Sequence, residues 1–219
     1  MDSTYLLGNK DIRKGARERL SGNWLASVLA IFIYLLLAIG ASLVPVLGIL
    51  LTIVIEAGFT LGLAIFFLII VRGNKAEIGD MFKGFNNYWK ALGALLLVYL
   101  FVFLWTLLLI IPGIIAAIRY SQTFYILADN PDIKVTEAIN LSKKMMSGVK
   151  CKYFLLNLSF IGWSFLALFT LGIGYLWLLP YIMSSQAIFY DDLKRNHDGE
   201  TIPNVGPTSN DDDSPIRNY

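Results

Sequence analysis

Residues 20–55, LSGNWLASVLAIFIYLLLAIGASLVPVLGILLTIVI, decide the fold, because 36 consecutive positions carry no Asp, Glu, Lys or Arg. Two further runs share this property, residues 91–118 with 28 positions and residues 153–190 with 38. A helix crossing a bilayer uses roughly 17 to 25 apolar residues. Each run is therefore too long for one such helix and about right for two joined by a tight turn. The composition agrees: the 219 residues are 56% hydrophobic and only 16% charged, where a soluble domain carries about 25% charge. The sequence describes an all-α, polytopic membrane protein.

Six helices are expected, at residues 25–44, 46–71, 91–111, 113–128, 154–171 and 172–190. They pair as three hairpins whose turns centre on Pro45, on Pro112 and Gly113, and on Gly172 and Gly174, residues that end helices or permit sharp reversal. Cations set the orientation. Lys10, Arg13, Lys14, Arg17 and Arg19 precede the first helix; Arg72, Lys75, Lys83 and Lys90 join the first hairpin to the second. Lys134, Lys143, Lys144, Lys150 and Lys152 join the second to the third, while Lys194, Arg195 and Arg217 follow the last helix. Both termini are expected in the cytoplasm. The net charge of +2 conceals this asymmetry.

The basic N-terminus before an apolar stretch and Ala38-Ile39-Gly40 superficially resembles a secretory signal. Its charged region is long for a signal, and an internal repeat treats the first segment as structural. Gly8-Asn9-Lys10 recurs as Gly73-Asn74-Lys75, and Trp24 recurs as Trp89 at the same offset of 65, with Tyr153 as a third aromatic 64 residues on. Gly22, Gly84 and Gly148 precede these aromatics. Three copies of one unit follow, each a cytoplasmic segment, an interfacial aromatic and a hairpin.

Two of the cytoplasmic segments read as amphipathic helices. In one, Ile78, Met81, Phe82, Phe85 and Trp89 share a face, with Asn74 and Glu77 placed to cap its start; in the other, Val135, Ala138, Ile139, Met145, Met146 and Val149 lie opposite Lys134, Lys143 and Lys144. The segment around Ile12, Ala16 and Leu20 is shorter and more basic. Contact with an anionic leaflet and packing on the bundle are both open for these segments. Residues 1–192 form the expected membrane domain. Residues 193–219, with Pro203, Pro207, Pro215 and Asp211 to Asp213, are expected as a disordered cytoplasmic tail.

Glu56 and Arg119 are the charged side chains expected inside helices. An intramembrane charge costs roughly 2.5 to 3.5 kcal/mol on insertion scales and usually has a partner, so an ion pair between the second and fourth helices is expected. Thr52, Glu56 and Thr60 lie on one side of the second helix, and Gly58 and Gly62 form a small-xxx-small pair for close packing on the other. Arg119, Gln122 and Thr123 share a face, and Ser184, Ser185 and Gln186 follow Pro180. This polar interior is open to three readings: a structural network, a solute path or a lipid-headgroup site.

Cys151 and His197 are the only Cys and His, so one chain assembles no disulfide, zinc site or Cys/His nucleophile pair. A serine protease within the membrane lacks its base, an aspartyl protease lacks its second facing carboxylate, and HExxH and phosphate-cradling glycine loops are absent. No catalytic residue, cofactor or nucleic-acid partner is expected. Glu137-Ala138 resembles the coupling loop of ATP-driven permeases, but Gly148 comes too late for that motif.

Ile111-Pro112-Gly113-Ile114-Ile115, Arg119-Tyr120-Ser121, Asn130-Pro131-Asp132, Glu137-Ala138-Ile139, Ser142, Met146 to Gly148, Leu158 to Trp163 and Pro180-Tyr181 carry a resemblance over residues 10–192. The chain resembles an uncharacterised bacterial family, a domain of unknown function of six-helix integral membrane proteins. More remotely, it is similar to the membrane domain attached to some glycerophosphodiester phosphodiesterases, without their catalytic barrel. The resemblance implies a bacterial cytoplasmic membrane and no catalytic residue. The leading expectation is a non-enzymatic scaffold, adaptor or lipid-interacting accessory protein, with the bilayer, anionic lipids and membrane proteins as partners. The competing expectation is a small-solute permease or channel using Glu56 and Arg119.

Overall fold

The computed structural model describes residues 6–43 and 48–197. Within them the chain is helical and has no strand. The α-helices are α1 (Asn9–Leu20), α2 (Trp24–Ser42), α3 (Gly48–Val71), α4 (Tyr88–Leu108), α5 (Ile110–Tyr120), α6 (Thr123–Asp129), α7 (Val135–Met145), α8 (Lys150–Phe169) and α9 (Tyr175–His197); a 3-10 helix, Ile78–Asn87, precedes α4. Five segments are long and apolar enough to cross a membrane: Trp24–Ser42, Leu51–Val71, Ile78–Leu108, Ile110–Asp129 and Lys150–Phe169. In chain order, α1 precedes α2 and α3, the 3-10 helix precedes α4, α5 and α6, and α7 precedes α8 and α9. Trp24, Trp89 and Tyr153 fall in the first turns of α2, α4 and α8.

Helix α3 is the axis of the bundle. Of its most apolar window 61% is buried, against 22% for α2, 17% for the segment containing α4 and 22% for α8. It packs against the 3-10 helix, α2, α4, α6 and α9, and Phe59, Phe66, Phe67 and Ile70 fill the space between them. The outer helices instead show large apolar side chains, such as Leu36 on α2, Phe103 on α4 and Phe165 on α8, on their free faces. An apolar surface of that extent needs an apolar solvent.

For the first of the two expected amphipathic segments the structure takes the bundle-packed alternative and corrects the helix type. Residues 78–87 form a 3-10 helix packed along α3. The reason is period three, since side chains at i and i+3 eclipse in a 3-10 helix. Met81 and Gly84 lie buried against α3, while Phe82, Phe85 and Tyr88 stack on one another with centroids 6.5 and 6.3 Å apart. A methyl group added at Gly62 would meet the Met81 carbonyl oxygen at 1.7 Å, and one at Gly84 would meet the Gly58 carbonyl oxygen at 2.1 Å. Trp89, which the sequence puts on the same face as Ile78 and Met81 and also reads as an interfacial aromatic, is 81% exposed. Asp80 caps the helix start by accepting the Glu77 N–H at 2.8 Å and pairs with Lys83 at 2.6 Å.

The second hairpin also turns elsewhere than expected. Leu109, extended at φ −162° and ψ 147°, makes the reversal, and Pro112 and Gly113 lie inside the first turns of α5. Proline is tolerated there because the first N–H groups of a helix have no intrahelical acceptor. Gly113 lets α5 close on α4, since a methyl group there would meet the Thr106 hydroxyl at 2.1 Å. In the third hairpin Leu171 and Gly172 have positive φ, and the Gly174 N–H donates to the Thr170 hydroxyl at 2.8 Å. Pro45 lies outside the described residues, as do residues 198–219 of the expected tail. Residues 193–197, expected as part of that tail, continue α9.

Gly62→Ala should cost on the order of 3 kcal/mol, because the clash is with backbone that has no rotamer to escape into. Gly162→Ala, whose added methyl meets nothing within 4 Å, should be neutral or slightly stabilising. Thermal unfolding of the two purified variants in one detergent checks the difference.

Candidate functional site

The expected Glu56–Arg119 ion pair does not form: no contact within 4 Å joins the two side chains. Helix α4 stands between them. Its Tyr99 hydroxyl donates to the Glu56 carboxylate, while Leu97, Val98 and Phe101 pack against Ala116 and Tyr120 of α5. Tyr34 of α2 also lies near Glu56. Arg119 faces the other way and lines a cleft of about 580 Å³ with Glu137, Asn140, Lys143 and Lys144 of α7. Its Nε is buried without a hydrogen-bond partner.

Between Arg119 and α6 the chain breaks. The expected fourth helix is two pieces, α5 and α6, and its loosened backbone is satisfied by a side chain from α7. The Ser142 hydroxyl donates to the Arg119 carbonyl at 2.8 Å and accepts the Gln122 N–H at 3.2 Å. Irregular backbone at such a position needs a protein partner, since lipid offers none. Around the break Gln122, Thr123, Ser184 and Ser185 are all fully buried. The Gln122 amide donates to the Ser121 hydroxyl at 2.9 Å, and Gln186 donates to Asn157 at 2.9 Å. The side-chain Oε1 of Gln122 and the hydroxyls of Thr123, Ser184 and Ser27 have no hydrogen-bond partner.

A second cluster, not singled out as a site in the sequence, lies where α3, α6 and α9 meet at the basic end of the bundle. Arg72, one residue beyond α3, donates to Asp129 at 2.7 Å and to Asp191 at 2.9 Å. Asp129 also accepts from Lys194 and from the Tyr190 hydroxyl, the latter at 3.1 Å. The two aspartate side chains are 8% and 12% exposed, and Arg72 is 38% exposed. Burial opposes the Arg72 charge, but the hydrogen bonds and charges of Asp129 and Asp191 outweigh it and hold the guanidinium above its ordinary value. Arg72 and Lys194 entered the sequence reading only as markers of sidedness, and Asp129 and Asp191 only as carboxylates at helix ends, set aside as aspartyl-protease candidates. The available signal was their opposite signs at the same ends of helices expected to be neighbours.

Asp192, beyond the apolar part of α9, is 2% exposed and accepts the Leu7 N–H at 2.8 Å, tying the start of the chain to its last helix. Burial raises its carboxyl above the ordinary 3.8, an effect the Leu7 N–H and Lys152 only partly offset. Helix α1 packs on α9 beside it, with Ile12, Ala16 and Leu20 fully buried. Among the described residues no three His, Cys, Asp or Glu side chains converge as a metal site.

Asp129→Asn should destabilise the protein by about 3 kcal/mol, because Arg72 and Lys194 lose a shared buried acceptor. Asp192 behaves oppositely. Its raised carboxyl gives stability that is present below the ordinary value and is lost as pH rises through the folded one. Relative to Asp192→Asn, the native protein should therefore lose melting temperature as the pH is raised above about 4. Melting curves across that range check both directions.

No curated protein and no solved structure matches the chain, so the remoter likeness to the phosphodiesterase membrane domain gains no support. A family match does cover the described residues from end to end, in two overlapping segments, 6–118 and 106–197. With nearly all of its helical part matched, the chain belongs to the family described as Protein of unknown function (DUF975).

Proposed function

We propose that the protein resides in the bacterial cytoplasmic membrane and crosses it six times as three hairpins. The apolar part of α9, residues 175–190, is the sixth span, and both chain ends are cytoplasmic. Five segments with the required length and hydropathy support this reading, together with the gathering of cations at one end and their absence from the turns around Leu109 and Gly172. In that membrane the protein acts as a non-enzymatic scaffold or adaptor that engages lipid through its basic end. One observation carries the reading. Helices α1 and α7 bury their apolar sides in the bundle and leave Lys10, Lys14, Arg17, Lys143 and Lys144 outward. An anionic leaflet surface attracts such cations by about 1 kcal/mol each.

The permease reading has its own foothold in Glu56, held by Tyr99 between α3 and α4. The outward cations of α1 and α7 favour scaffolding as the role.

Cys151, the only cysteine and exposed at the start of α8, reports sidedness directly. A membrane-impermeant maleimide should label it in inverted vesicles and not in intact cells, whereas Ile173→Cys in a Cys151→Ser background should label from outside. The opposite pattern would overturn the topology. For the role, Glu56→Gln should lower stability by about 1 kcal/mol with no solute flux to lose in reconstituted vesicles. A native flux abolished by Glu56→Gln would replace the scaffold with a permease.

A further inference from the structure

A groove of about 700 Å³ runs between α1 and α2 on one side and α8 and α9 on the other. Its two ends differ in chemistry. At the basic end its lining is Lys10, Arg13, Lys14 and Arg17 of α1, with Asp11 as the single carboxylate among them. Within the described residues no carboxylate stands within 4 Å of Lys10, Arg13 or Arg17, and Lys14 reaches only the exposed Glu18 at 3.9 Å. Because Ile12, Ala16 and Leu20 anchor the opposite side of α1, this cationic face is held in place.

Away from the cations the lining turns apolar and aromatic, with Trp24, Trp163, Trp177, Leu178 and Tyr181. The groove continues to Thr170 and Gly174 at the far turn. On α9 the lining runs from Gly174 to Tyr181, so the apolar trough is roughly 10 Å long at 1.5 Å per residue. One leaflet of hydrocarbon is about 15 Å deep. Trp163 and Trp177 remain 56% and 53% exposed, which leaves the trough open sideways toward the surroundings of the bundle.

We propose that this groove seats one anionic phospholipid, its headgroup among the α1 cations and an acyl chain along the tryptophan-walled trough. A soluble anion would use the cations and leave the aromatic wall without a purpose, and a neutral lipid would leave three net positive charges unmatched. An amphiphile with a negative head satisfies both ends at once. Tryptophan rings suit the trough because they offer broad apolar faces with one polar edge for the interface. The inference rests on the membrane-embedded reading above.

Three of the five tryptophans line the groove, so their fluorescence reports its occupant. The full chain, with Trp89→Phe and Trp105→Phe to silence the other two, is reconstituted in phosphatidylcholine vesicles. Brominated phosphatidylglycerol or brominated phosphatidylcholine is then added at equal mole fraction. The anionic lipid should quench at roughly fivefold lower mole fraction than the zwitterionic one. Arg13→Gln with Arg17→Gln should abolish that preference, and Arg13→Lys with Arg17→Lys should restore it. Equal quenching by both lipids would overturn the groove as an anionic-lipid site while leaving the membrane reading intact. Quenching by neither would remove the membrane reading itself. Reversal of the preference by millimolar inorganic phosphate would show an anion site without lipid selection and would also overturn the proposal.

Discussion

In a bilayer no hydrophobic force presses one helix against another, because lipid tails are as apolar as leucine, so intimate contact has to come from shape. Gly58 and Gly62 on α3 and Gly84 on the 3-10 helix provide it. Their missing side chains let the Met81 and Gly58 carbonyls approach the facing backbone at distances a methyl group would forbid. This contact sets the course of the chain after Arg72. The segment folds back along α3 instead of leaving it, and it delivers α4 with Tyr99 facing Glu56. A 3-10 helix of ten residues is unusual, and period-three packing against a glycine seam is what holds this one.

The other elements are fixed by polar groups placed where the backbone or the charge pattern requires them. Arg72 cannot leave the end of α3 without stranding Asp129 and Asp191, so three helices share one cation. Ser142 joins the broken helix to α7 by meeting one carbonyl and one N–H that the break sets free. Neither device depends on the length of the apolar runs. Both depend on short polar segments that connect them, which explains why much of the distinctive sequence of the chain lies between the helices.

The charge-free runs and the glycine punctuation made the helical architecture legible, because length against bilayer thickness is a one-dimensional property. The third hairpin turn, around Gly172 and Gly174, falls where that punctuation lies. Period was harder: Ile78, Met81, Phe82 and Phe85 fit a 3.6-residue helix as well as a threefold one, and only the glycine partners on α3 decide between them. Proline misled at residue 112 because it marks a helix start as readily as an end. Glu56 was recognisable as a charge inside an apolar helix, yet depth along a helix says nothing about azimuth. The intervening α4, which gives Glu56 to Tyr99 and turns Arg119 toward α7, was invisible without packing. The ion cluster was missed because each member looked like an ordinary flanking charge.

The distribution of charge separates two roles that composition alone merges. Arg72, Asp129, Asp191 and Lys194 neutralise one another inside the joint between helices and present little net field outside it. The α1 cations are different: only one carboxylate lies among them at the groove, and the apolar side of their helix is already anchored. A helix that needed only to pack could carry a mixed polar face there at no loss of stability, since exposed ion pairs contribute at most about 1 kcal/mol. Like charges held side by side repel and gain only when something negative arrives. That excess belongs with a partner outside the chain, and a groove whose apolar length begins at those cations gives that partner its amphiphilic form.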